Sequence, residues 1–95
     1  LQEVKKDYGR IPIYIGGEFR DSDTDEWFDV MNPAMDKVIA RVPFVTVDEV
    51  DEAIESASKT FEKWSETPIP TRVQYLFRMK EAMERHKEEL ARIIS

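Results

Sequence analysis

The spacing of apolar residues changes once along this chain, at Thr46. Before it, Ile13, Ile15 and Phe19 flank the pair Gly16-Gly17. Two consecutive glycines supply the positive φ of a two-residue turn, so residues 11–20 predict a short β-hairpin. Trp27 to Met31 predicts a strand, ended by Asn32-Pro33, because proline cannot donate to a ladder and asparagine suits turns. Lys37 to Val42 predicts its partner, with Val38, Ala40 and Val42 on one side and Ile39 on the other. These two strands make a second hairpin that turns around Asn32 to Asp36.

From Thr46 the period becomes helical. Thr46 and Glu49 have the spacing of a capping box, and Asp48, Glu49 and Asp51 put negative charge at the positive end of the helix dipole. Val47, Val50, Ile54, Ala57, Phe61 and Trp64 then form one apolar stripe, which Thr67-Pro68-Ile69-Pro70 ends. Pro70 suits the first turn of a second helix. Val73, Leu76, Met79, Met83, His86, Leu90, Ile93 and Ile94 trace its buried face, with Glu81–Arg85 and Glu88–Arg92 pairs outside. No glycine or proline interrupts this helix before Ser95, so the chain is expected to stop inside an element. The piece is thus α+β: a polar segment over 1–10, two short β-hairpins, then two long amphipathic helices. Four short strands cannot cover both stripes, and a large exposed apolar patch points to a missing partner.

Composition narrows the setting. Ninety-five residues make one domain at most, and 41% hydrophobic with 36% charged residues reads as globular with a highly charged surface. A net charge of −6 repels phosphate backbones and anionic membranes, so neither nucleic acid nor membrane is an expected partner. No apolar run approaches the ~20 residues that span a bilayer. Leu1 to Tyr8 is polar, without a secretory signal, and the absence of an initiator Met suggests a trimmed start. With no cysteine there is no disulfide, thiolate metal site or thiol nucleophile, and a cytoplasmic location fits.

Few residues invite chemistry. The alternating carboxylates of Asp21 to Glu26 evoke a calcium loop, but the segment is too short and lacks the sixth-position glycine and the distal glutamate, so it reads as a solvated acidic turn. His86, alone on an apolar stripe and without an orienting partner, reads as a packing histidine. Met79 and Met83 read as core, and Trp64 as a buried packing residue whose truncation costs ~3–5 kcal/mol at full burial. Gly16-Gly17 lacks the spacing and following helix of a phosphate loop. Glu81, Glu84, Glu88 and Glu89 alternate with Lys and Arg, as on a solvated face.

Five segments share one resemblance. Ile15-Gly16-Gly17-Glu18-Phe19 resembles the opening of aldehyde dehydrogenases, and Val30-Met31-Asn32-Pro33-Ala34 their Asn-Pro-Ala-Thr-Gly-Glu turn. Val38 to Pro43 resembles the strand that follows, Val47 to Ile54 the first helix, and Phe61-x-x-Trp64 with Pro70-x-Arg72 the link between the helices. All fall in the family's order and spacing from Tyr14 to Ser95. Trp27 to Pro33 and Trp64 to Thr67 look most like the methylmalonate-semialdehyde dehydrogenase (CoA-acylating) branch. One departure is Met35-Asp36 where the family has Thr-Gly; the glycine implies a positive φ, which Asp tolerates better than most residues.

The resemblance implies an α/β fold when complete, with 11–95 the amino-terminal part of an NAD(P)-binding domain, ending before its Rossmann core and the catalytic domain. It implies aldehyde oxidation through a Cys thiolate adduct and a thioester, with NAD or NADP as cofactor and coenzyme A as a conceivable co-substrate. The nucleophilic Cys, the base Glu and the cofactor contacts would all lie outside this chain, leaving it structural and inactive alone. The backbone carbonyls of Val30 and Met31 correspond to a monovalent-cation site in relatives. The rest of the dehydrogenase subunit and further copies in a homo-oligomer are the implied partners. Two other readings stand beside this one: a free-standing helical-hairpin interaction module using Val50, Ile54, Phe61 and Trp64, and a truncated inactive relative.

Overall fold

A computed structural model describes Lys5 and residues 7–94. The chain divides between Phe61 and Glu62 into two compact units. The first holds four strands and most of a helix. Strand β1 (Ile13–Ile15) pairs antiparallel with β2 (Glu18–Arg20), and Tyr14 faces Phe19 with ring centroids 4.6 Å apart. Gly16 and Gly17 have φ of 62° and 84°, the left-handed pair that a tight hairpin turn of this twist requires.

Strand β3 (Trp27–Asn32) pairs antiparallel with β4 (Lys37–Pro43). The turn between them is held by Asn32. Its Oδ1 accepts the Ala34 N–H at 3.0 Å, and its carbonyl accepts the N–H groups of Met35 and Asp36 at 3.2 and 2.8 Å. Asp36 sits at φ 53°, the positive φ expected from the sequence. A left-handed residue with a Cβ costs ~1–2 kcal/mol. Asp36→Gly should therefore raise stability by about 0.5–1 kcal/mol after the entropy glycine adds to the unfolded chain. A denaturant midpoint at or below that of the native protein would contradict this.

The even alternation expected along β4 does not hold. Val30 pairs with Ala40 but Met31 pairs with Val38, so Ile39 is an extra residue and the ladder carries a bulge. Only Ala40, 7% exposed, is buried; Val38 and Val42 are not part of one covered face. The Ile39 carbonyl accepts the Tyr8 N–H at 2.6 Å. Arg41 donates its N–H to Gly9 at 2.8 Å and accepts from Ile11 at 2.8 Å. The end of the polar segment is thus a parallel strap along β4, while residues 1–4 and 6 lie outside the described ones.

Helix α1 (Val47–Trp64) begins in the first unit, and its last turn belongs to the second. The second unit continues with α2 (Ile69–Arg85) and α3 (Lys87–Ile94). The expected single helix from Pro70 to Ser95 is therefore two. His86 leaves the helical region at φ −107° and ψ 17°, and its N–H still bonds the carbonyls of Ala82 and Glu84. Its Nδ1 lies 3.4 Å from Oε2 of Glu89, three residues on. The His86 carbonyl accepts the Leu90 N–H at 2.9 Å, so α3 starts from the residue that ends α2.

Candidate functional site

The polar groups of the first unit converge on Glu49. In α1 the capping box forms as expected: the Glu49 N–H donates to Thr46 Oγ1 at 3.2 Å, and the Thr46 N–H donates to Glu49 Oε1 at 2.9 Å. The carboxylate does more than cap. Ser22 Oγ donates to Oε1 at 2.5 Å and the Asp23 N–H donates to Oε2 at 3.0 Å. Glu49 and Ser22 are 5% and 8% exposed. The Ser22 hydrogen bond, then the N–H groups of Thr46 and Asp23, outweigh desolvation and draw the carboxyl from 4.5 down to about 2. One turn further, Glu52 takes both ends of the Arg20 guanidinium, Nη1 at 2.9 Å from Oε1. That hydrogen-bonded pairing lowers the Glu52 carboxyl and raises Arg20.

The loop from Asp21 to Glu26 is therefore not simply a solvated turn. Asp21, Asp23 and Asp25 are exposed, but Ser22 turns inward, and its Oγ accepts the Thr24 N–H at 3.2 Å. Thr24 in turn accepts the Trp27 indole N–H at its carbonyl, 3.2 Å away. Arg10 stacks over that indole at 4.6 Å from the ring centroid. No group of three or more His, Asp or Glu side chains among the described residues could hold a metal ion.

Which face of α1 this joint covers is the main departure from expectation. Thr46, Glu49, Ala53 and Ser56, spaced three or four apart, are its covered positions. Ser56 Oγ lies 3.7 Å from where a Cβ on Gly16 would stand. Val47, Val50, Ile54 and Phe61, on the apolar stripe, are exposed, as expected of strands too short to cover it. Charge-assisted hydrogen bonds hold the end of β2 and the loop after it to the polar face and leave the apolar face open.

The second unit repeats this. Trp64 meets Tyr75 edge to face at 5.6 Å but remains 41% exposed, outside the full-burial condition placed on it. Leu76, Met79, Met83 and Leu90 are surface residues here, not core. They line an open groove of about 600 Å³ with Lys80, Glu84, Lys87, Ala91 and Ile94. His86 is exposed beside Glu89 and is not a packing residue.

The remaining sequence candidates separate. Val30 and Met31 lie on β3, on either side of the register shift. Gly16 and Gly17 join two antiparallel strands and lead into no helix, so they do not fit a dinucleotide phosphate. Sequence reasoning missed Ser22 and the second role of Glu49. Nothing in Asp21 to Glu26 marks Ser22 as the residue that turns in.

Residues 19–95 match the aldehyde dehydrogenase family. The whole chain is 44% identical to a malonate-semialdehyde dehydrogenase of Bacillus velezensis, covering 19% of that protein. It is 42% identical, again over its whole length, to a malonate-semialdehyde dehydrogenase of Bacillus subtilis subsp. natto, covering 19% of it. Over 94% of its length it is 43% identical to one of Listeria monocytogenes serotype 4a, 18% of that protein. The chain belongs to the aldehyde dehydrogenase family. It spans about a fifth of the length of the curated relatives it matches, at their amino-terminal end. These relatives are named for malonate semialdehyde, one methyl group short of the methylmalonate branch expected from the sequence. No helix among the described residues is long and apolar enough to cross a membrane.

Proposed function

We propose that this chain is the amino-terminal part of the cofactor-binding domain of a semialdehyde dehydrogenase that uses NAD or NADP. Its role there is structural. The observation that carries this is the inverted packing of α1, whose polar face is covered and whose apolar stripe of Val47, Val50, Ile54 and Phe61 is not. Apolar area removed from water is worth about 25 cal/mol per Å², so a stripe of this kind is stable only under a cover. The rest of the dehydrogenase subunit is that cover, and the complete enzyme is a homo-oligomer.

The complete enzyme oxidises a malonate-type semialdehyde to an acid or, with coenzyme A, to an acyl-CoA. This chain has no cysteine, so the thiol nucleophile of that reaction comes from another part of the polypeptide. The Gly16-Gly17 turn does not fit a dinucleotide phosphate, and this chain's contribution is to hold the domain that binds the cofactor. The test compares the 95-residue chain with the longer polypeptide, each given malonate semialdehyde and NAD or NADP, with and without coenzyme A. Reduced cofactor should form only with the longer polypeptide. Reduction by the short chain, or none by a folded longer one under any of these conditions, would overturn the reading. A native protein of intact mass near 11.2 kDa would instead favour the free-standing module or the truncated relative.

A monovalent cation held by the carbonyls of Val30 and Met31 is the one ligand proposed for this chain itself. What supports it is the resemblance alone, since both residues stand on β3 immediately before the Asn32-Pro33 turn, where the resemblance implies such an ion. Sodium or potassium should raise the melting temperature of the complete enzyme at fixed ionic strength, relative to choline. Equal melting in all three salts would remove the site.

A further inference from the structure

We draw no further inference here: the strongest candidate, the open apolar groove along α2 and α3 lined by Leu76, Met79, Met83, Leu90 and Ile94, carries nothing because no feature of the structure shows what covers it.

Discussion

Replacing Glu49 by alanine should loosen the start of α1 and the loop before β3 together, and by more than Thr46→Ala or Ser22→Ala alone. Thr46→Ala removes one side of the capping box, a loss of about 0.5–2 kcal/mol. Ser22→Ala removes one donor to a buried carboxylate, about 1–3 kcal/mol. Glu49→Ala takes the acceptor from three donors at once: Ser22 Oγ, the Asp23 N–H and the Thr46 N–H. Buried donors left without partners cost more than the same bonds contribute when made. Amide exchange read over both segments of the complete enzyme separates the outcomes. Faster exchange at Asp23 and at the first turn of α1 together is the expected result. Faster exchange at α1 alone would mean that Glu49 is only a helix cap.

Acid should undo the same joint. Glu49 binds its proton less readily in the folded chain, at about 2 against an ordinary 4.5, so the folded state favours the ionised form. Its stabilisation is complete above about pH 4.5 and is lost as the pH falls from there through about 2. Glu52, held below its usual value by the Arg20 hydrogen bonds, pulls in the same direction. A plot of stability against pH should therefore fall steeply below about 4.5 in the native protein. Glu49→Gln should start lower and fall less over that window, because its amide has no proton to gain. Superimposable acid limbs for the two proteins would mean that Glu49 titrates as an ordinary surface carboxylate.

Much of the fold was legible in the sequence where one residue settles a local question. Gly16-Gly17 fixed a hairpin because both positions take positive φ. Asn32, through its side-chain acceptor, and Asp36, through its positive φ, did the same for the second turn. The Thr46–Glu49 spacing located the start of α1 to the residue. The bulge at Ile39 was not legible. It answers to the strap residues Tyr8 to Ile11, about thirty positions away in the chain. Nor was the break at His86 found by looking for glycine or proline, because neither residue marks it.

The apolar stripes were read correctly as stripes that the strands cannot cover; what was not foreseen is that the polar face of α1 is the covered one and that Trp64, Met79 and Met83 are on the surface. Periodicity reports which face of a helix avoids water in the finished protein, not which neighbour supplies the cover. The first hairpin and the loop after it meet α1 on the other side, through Glu49, Glu52 and Ser56. The aldehyde dehydrogenase resemblance was legible for a different reason. Its motifs sit in turns and caps, where backbone geometry restricts the choice of residue.

The pairing of Ser22 with Glu49 also sets a sequence of events during synthesis. These residues are 27 positions apart, so at about 5–20 residues per second the loop leaves the ribosome some seconds ahead of its anchor. Until α1 has wound its first turns, Arg20 and Ser22 lack the carboxylates they bond. The helix, made later, is the latch that closes on strands already waiting.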